Sequence, residues 1–327
     1  GKIFYKQSRF IQVMTKVSVI IPLHNSKAYI KQTIKSCLAQ THDNIEIIVV
    51  ENGSTDQGYQ IVKSIDDKRL SVFQIPTPNA AAARNYGYHK ATGTYIIFLD
   101  ADDVMASNKI ELQLKALSAK PEGWVASCAW AKFKTNTKEA IISPQKVWAI
   151  QNPIDWCLQS WMGEGMMIPG CWLIPKPIID KAGLWNEKLS LHDDGEFMCR
   201  VLLASKGNVF VENTVVYYRQ QDNSLSRDHT SKKAAESALL VYKSYQQQIL
   251  KFQDSKLTRR ALARNFSRFV YEYYPAHAQL IKEAYREINE LGVKPPLVGS
   301  PSFKLIQRIV GFKLAMRLTS IKRNLIH

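Results

Sequence analysis

The 327 residues of this chain predict an α/β fold built on a mostly parallel central sheet. Three observations lead there. Short β-branched runs recur through the first hundred residues, and each is followed by a segment with apolar residues at helical spacing. The runs are apolar throughout rather than alternating, as in strands covered on both faces. The connections are short, and strands that alternate with helices in this way pair in parallel. Hydrophobic residues make up 46% of the chain, enough for a packed core, and the length suits one large domain or a domain with an extension.

The elements follow in order. "VSVIIP" (17–22) is the first strand. "SKAYIKQTIKSCLAQ" (26–40) is a helix with Tyr29, Ile30, Ile34, Cys37 and Leu38 on one face. "IEIIVV" (45–50) is the second strand, "TDQGYQIVKSIDD" a short helix, and "RLSVFQI" (69–75) the third strand. "NAAAARNYGYHKA" (79–91) is helical by its alanines, and "YIIFL" (95–99) is the fourth strand. Beyond these, "WVASCAWAKF" (124–133) and "GCWLIPK" (170–176) are expected strands, with a segment rich in Trp, Met and Gly between them. "NVFVENTVVYYR" (208–219) is a strand pair or one bent strand. From Arg227 the pattern is helical to about Leu291, and "GVKPPLVGSP" is a linker.

The chain is organised as an N-terminal extension (1–15), an α/β domain (16–226) and a basic helical extension (227–327). Of the formal net charge of +16, +12 lies from Arg227 onward, where 19 Lys/Arg face 7 Asp/Glu. In the last segment Leu305, Ile309, Phe312 and Met316 form one apolar stripe at helical spacing. Phe303, Val310, Leu314, Leu318 and Ile321 form a second stripe on the opposite side. Two stripes suggest a helix clamped between surfaces, its own domain and a partner protein or second subunit. Peripheral contact with the inner face of a membrane is the competing expectation. No run approaches the ~20 apolar residues of a membrane span. The opening stretch lacks a signal-peptide core, and the five scattered cysteines include no CxxC pair, so a cytoplasmic location is expected.

The chemistry gathers at the strand ends. Parallel sheets collect ligands at their carboxyl edge. There the first strand stops at "PLHN", the second at "ENGSTD", and the fourth runs into Asp100, Asp102 and Asp103. Clustered carboxylates repel and are costly to desolvate, so something outside the chain is expected to neutralise them. With Arg84 nearby in sequence as an anion-binding guanidinium, the pattern suits a diphosphate carried with Mg²⁺ or Mn²⁺. The competing structural role for Asp102 or Asp103 is to cap the helix "SNKIELQLKAL" (107–117).

The segments "VSVIIPLHN", "IEIIVVENGSTD", "AAARNYG" and "ATGTYIIFLDADD", in that order, resemble the family 2 glycosyltransferases, inverting enzymes of GT-A fold. The resemblance runs from about Lys16 to Ser226. It implies transfer from a nucleoside-diphosphate sugar, UDP-linked as the first expectation, to a saccharide or glycolipid acceptor. It also implies that Asp100 touches the ribose, that Ala101 belongs to the nucleotide-sugar site and that Asp102 ligates the metal. Glu51 or Asn52 would read the base with the backbone at Pro22, and Arg84 would approach base or diphosphate. In "LHDDGEFMCRVLL" (191–203) the resemblance implies Asp194 as general base, six residues before Arg200. Asp193 is the alternative base, and helix N-capping is the structural alternative for both.

Two departures matter. Many relatives have Asp-Asp where this chain has Glu51-Asn52. Many also have a His where this chain has Gln221 or Asp222. Trp156, Trp161 and Trp172 are candidate acceptor contacts, or core.

Rival classes fit less well. A dehydrogenase needs a glycine-rich turn after its first strand, and "PLHNSKAY" has no glycine; the P-loop pattern is missing. A sugar nucleotidylyltransferase is the nearer alternative enzyme. A non-catalytic binding protein with a basic helical tail is the alternative outside enzymes; nucleic acid is not an expected partner.

Overall fold

The computed structural model describes residues 15–221 and 230–318. Most of the N-terminal extension, Asp222 and Ile321 lie outside them. The described residues divide into two compact units. The first comprises residues 15–156, 165–187 and 197–221; the second comprises 157–164, 188–196 and 230–318.

The first unit contains two sheets. One has the order β3-β2-β1-β4-β8. Strands β1 (Val17–Leu23), β2 (Ile45–Asn52), β3 (Leu70–Ile75) and β4 (Tyr95–Phe98) are parallel throughout. All seven residues of β1 are buried, as are all but Glu46 in β2, so the apolar runs reflect a strand pair enclosed on both faces. Helices α1 (Ile30–Leu38), α2 (Gly58–Lys63) and α3 (Ala80–Lys90) connect them. The Asn79 side chain caps α3 by accepting from the Ala82 N–H at 3.0 Å.

The second sheet was not foreseen. Its order is β5-β9-β6-β7. Strand β5 (Val104–Met105) directly follows the acidic turn, and helix α4 (Lys109–Ser118) follows β5. Strand β6 (Trp124–Phe133) pairs antiparallel with β7 (Ile141–Ile142) and parallel with β9 (Gly207–Arg219). Strand β9 is one strand, not a pair, and its register against β6 shifts between Cys128 and Ala129, as at a bulge. The expected strand at 170–176 shrinks to β8 (Ile174–Pro175), antiparallel to β4, because Pro169–Cys171 forms a 3₁₀ turn. Helices α5 (Pro153–Met162), α6 (Lys176–Ala182) and α7 (Asp193–Ala204) complete the middle of the chain.

The second unit is built on α8 (Lys232–Ile249), α9 (Lys256–Tyr273), α10 (Ala278–Glu290) and α11 (Pro301–Val310). Leu239, Tyr242, Phe266, Phe269, Ile281 and Ala284 are buried on these helices. The two-stripe expectation fails at Gly311, whose φ of +78° ends α11. A separate helical stretch, 312–318, follows. Each piece then faces its own way: Phe303 and Met316 are buried, while Leu305, Ile309, Leu314 and Leu318 are exposed.

All five cysteines are free and buried. Among the described residues no helix is long and apolar enough to cross a membrane.

Candidate active site

The carboxyl ends of β1, β2 and β4 lie side by side, since β1 pairs with both neighbours. The loops after β1 and β2 are joined by polar contacts. The Asn25 N–H donates to Ser54 Oγ at 3.2 Å, the Thr55 N–H to Asn25 Oδ1 at 2.8 Å, and the Lys27 N–H to Asp56 Oδ2 at 2.7 Å. Pro22, the penultimate residue of β1, lies opposite Val50. Glu51, buried opposite Leu23, accepts from the Ser54 N–H and from Gln74 Nε2, the latter at 3.1 Å. The Asn52 amide nitrogen donates to Leu23 O at 2.6 Å, and its oxygen accepts from the Asn79 N–H at 3.1 Å. His24 Nδ1 lies 3.0 Å from Asn52 O.

The fourth strand explains the acidic turn. The Leu99 N–H still bonds to Ile20 O at 2.9 Å, and one residue later the chain turns, with the Asp103 N–H donating to Asp100 O at 3.2 Å. The Ala101 carbonyl accepts from the buried Thr33 hydroxyl at 2.9 Å. The three acids therefore meet different surroundings. Asp100 is partly exposed and accepts from the Arg84 guanidinium at 2.9 Å. Asp102 Oδ2 accepts from the Gln221 amide. Burial, together with the neighbouring Asp100 carboxylate, pushes the Asp102 carboxyl up to about 6. Asp103 is fully buried, and burial with the two neighbouring acids raises its carboxyl well above the usual range. Its Oδ1 accepts from the Arg219 N–H at 3.0 Å, and its Oδ2 has no hydrogen-bond partner among the described residues. Neither Asp102 nor Asp103 caps α4, whose N-cap is Asn108. Of the two residues that stand where many relatives have a His, Gln221 is the described one, and it lies against Asp102.

Two side chains that hold this corner escaped sequence reading. Trp185 lies under Arg84, with the guanidinium 4.3 Å from the ring centre. Arg219 donates to Asp102 O at 2.9 Å, to Lys134 O at 2.8 Å and to Gln32 Oε1, while packing between the Tyr29 and Phe133 rings at 4.5 and 4.4 Å. The signal for Arg219 was its place at the end of a long strand, two residues before Gln221.

Asp193 and Asp194 occupy the first turn of α7 and are partly exposed. Both acids stand at the N-terminal end of the helix, and Asp194 Oδ1 accepts from the Gly195 N–H at 2.7 Å. Helix α8 grips this stretch. Ser237 Oγ accepts from the Ser190 and Leu191 N–H groups, both at 3.0 Å, and donates to Leu191 O at 2.8 Å. Ser244 Oγ donates to Glu196 Oε1 at 2.8 Å. A Cβ at Gly195 would overlap the Tyr245 hydroxyl, so only glycine admits that approach. Farther along α7, Arg200 donates to the carbonyls of Ala182, Gly183 and Leu184 at 2.7–2.9 Å, closing the C-terminal end of α6.

The three tryptophans are occupied by packing. Trp156 and Trp172 meet edge to face at 5.5 Å, and Trp172 is wholly buried. Trp161 stacks on Tyr245 at 4.6 Å and is also buried. Among the described residues, no three His, Cys, Asp or Glu side chains converge as a ready metal cage.

Residues 18–183, just over half of the chain, match the sequence model of Glycosyl transferase family 2. The chain belongs to glycosyl transferase family 2. An uncharacterized glycosyltransferase of Haemophilus influenzae is 47% identical over 104 residues, covering 31% of this chain and 42% of that protein. Another, from Rickettsia bellii, is 48% identical over 101 residues, of which the match spans only 15% of the relative. Glycosyltransferase GlyG of Streptococcus pneumoniae is 28% identical over 224 residues, 64% of this chain and 73% of the relative. The fold of this family 2 chain is similar to that of the Staphylococcus aureus TarS 1–349 crystal structure, solved in complex with UDP-GlcNAc. The TM-score is 0.69 at 17% identity, with 95% of this chain and 92% of that one covered. The GT-A-like expectation, a mostly parallel sheet with C-terminal helices, therefore stands.

Proposed function

We propose that this glycosyltransferase is an inverting enzyme that moves a sugar from a UDP-sugar to a hydroxyl of a saccharide or glycolipid acceptor. The observation that carries the reading is the acidic turn Asp100–Asp103 at the carboxyl edge of the parallel sheet, with one acid paired to Arg84 and the next raised by burial and its neighbour. The similarity to the fold of TarS, crystallised with UDP-GlcNAc, supports UDP as the nucleotide.

The residues fit a divalent cation. Asp102 and Asp103 carry carboxyls raised by burial and by their acidic neighbours, which a cation would relieve, and Asp103 has a buried oxygen without a partner among the described residues. Mg²⁺ and Mn²⁺ take hard oxygen ligands and are commonly held by one or two carboxylates with substrate phosphates. Asp102 would hold the ion together with the donor diphosphate. When bound, it would supply Lewis-acid stabilisation of the departing nucleoside diphosphate.

The chain's own groups do the rest. Glu51 and Asn52, with the Pro22 backbone, border the space for the base, where an amide and a carboxylate offer donors and acceptors. Asp100, held by Arg84, accepts from a ribose hydroxyl. Asp194, with Asp193 beside it, takes the proton from the acceptor hydroxyl. That oxygen attacks the anomeric carbon from the side opposite the diphosphate, inverting its configuration. The chain is read as cytoplasmic on its free, scattered cysteines.

The test is a panel of nucleoside-diphosphate sugars incubated with the protein and Mn²⁺ or Mg²⁺, with free nucleoside diphosphate as the readout. Release with a UDP-sugar, abolished by chelation, is expected. No release and no thermal shift with any donor would point instead to a non-catalytic binding protein.

A further inference from the structure

The second unit carries an open cavity of about 910 Å³ whose lining includes Lys256, Arg260, Lys294, Lys304 and Arg308 and no carboxylate. Pro295 and Pro296 stiffen one wall. All five cations are exposed, and among the described residues none of them makes an ion pair. The contrast is local: Arg259, next to Arg260, is held by Asp254 at 2.6 Å.

Helix α11 forms one side of this cavity and has three distinct faces. Phe303 and Gln307 are buried against the unit. Lys304 and Arg308, one turn apart, line the cavity. Leu305 and Ile309, also one turn apart, point outward and are 58% and 76% exposed. Ile306 is exposed beside them, and past Gly311 so are Leu314 and Leu318. Solvent-facing aliphatic side chains bordered by unpaired cations need an occupant that uses both. A soluble polyanion would engage the cations and leave Leu305 and Ile309 in water. A second copy of the chain would cover the leucines but bring like charge, since the chain is +12 from Arg227 onward. A bilayer with anionic head groups satisfies both, phosphates against the cations and acyl chains around the aliphatic side chains.

We propose that the basic cavity and the outward face of α11 dock this protein on the phosphate head groups of an anionic lipid bilayer. None of these residues is among those assigned to donor chemistry, so the test does not depend on the identity of the donor.

The experiment is vesicle flotation of the full chain, using phosphatidylcholine alone and phosphatidylcholine with about 30% phosphatidylglycerol, a content that gives a strong negative surface potential. Binding is expected on the anionic vesicles, at least tenfold tighter than on neutral ones, and weakened by salt. The double variants K304E/R308E and K256Q/R260Q should each lose roughly tenfold or more in partitioning. L305S/I309S should lose a comparable amount at low salt, through the apolar contribution. All these side chains are exposed, so melting temperature and nucleoside-diphosphate release with soluble substrates should stay unchanged. Equal binding to both vesicle types would overturn the proposal. So would anionic binding that survives L305S/I309S and is competed by inorganic phosphate, which would make the cavity a soluble-anion site. A concentration-dependent dimer dissolved by L305S/I309S would overturn it in favour of a second copy.

Discussion

Arg84 donates to the Asp100 carboxylate at 2.9 Å while its guanidinium lies 4.3 Å from the centre of the Trp185 ring. One side chain thus ties the third helix to the turn after the fourth strand, and the ring fixes the plane of its donors. Lysine keeps the charge but offers neither the planar fork nor the stacking. Arg84→Lys should therefore lower kcat/KM for the donor by roughly tenfold or more. Steady-state kinetics on the best donor of the panel would check this, and an unchanged value would remove Arg84 from the site.

Asp102 is the residue proposed to hold the cation, and its effect should appear in binding rather than only in turnover. Asp102→Ala should abolish the dependence of UDP affinity on Mn²⁺, leaving the weak affinity that the wild-type protein shows after chelation. Calorimetric titration with UDP, with and without Mn²⁺, makes the comparison. A full metal effect in the variant would place the ion elsewhere.

Asp194 is assigned to the acceptor proton, so its loss should leave nucleotide affinity almost untouched. Asp194→Asn should cut transfer by about 10²–10⁴-fold, the usual contribution of a general base. If Asp193→Asn shows the large loss and Asp194→Asn only a small one, the two roles exchange.

Ser237 is expected to affect the same chemistry indirectly, by positioning. It bonds Ser190 and Leu191, directly upstream of the acid pair. Ser237→Ala should lower kcat several-fold with little change in UDP affinity, and Ser237→Thr, which keeps the hydroxyl, should recover part of it. Losses confined to thermal stability would mean that this contact is structural only.

Glu46 offers a pH test of the sheet. Burial raises its carboxyl, but the Lys16 ammonium, Ser18, and the Thr92 N–H and hydroxyl outweigh this and hold it at about 2. Lys16 Nζ sits 2.8 Å from it, and the Thr92 and Gly93 N–H groups donate at 2.7 and 3.1 Å. A carboxyl depressed on folding stabilises the fold above its unfolded value near 4.5, and this is lost as pH falls through 2. Glu46→Gln should cost about 1–2 kcal/mol at neutral pH, with the difference from wild type shrinking between pH 4.5 and 2. Denaturant titrations across that range would show it. A pH-independent difference would mean that packing, not the ionised hydrogen bonds, dominates.

The sequence alone was enough for the four parallel strands, the helices between them and the ordered motifs that name the family. Those features are local: enclosed strands must be apolar on both faces, and a turn that carries charge must sit where a strand ends. The helical character of the stretch from Arg227 to about Leu291 was legible too, but not its division into separate helices. Only the tertiary structure decided the rest. The second sheet joins strands far apart in sequence, and β6 against β9 is a parallel pair that no local pattern announces. Tryptophans carry the same letter in a core and at a binding surface, so Trp156 and Trp172 could be assigned only by their neighbours. Arg219 and Trp185 reach the acidic turn and Arg84 from 117 and 101 positions away, respectively. The two-stripe reading of the last helix failed because a periodicity count passes straight through Gly311, whereas a left-handed φ there restarts the helix in a new direction. Periodicity records which face of an element is apolar; what covers that face is set by contacts between residues distant in the chain.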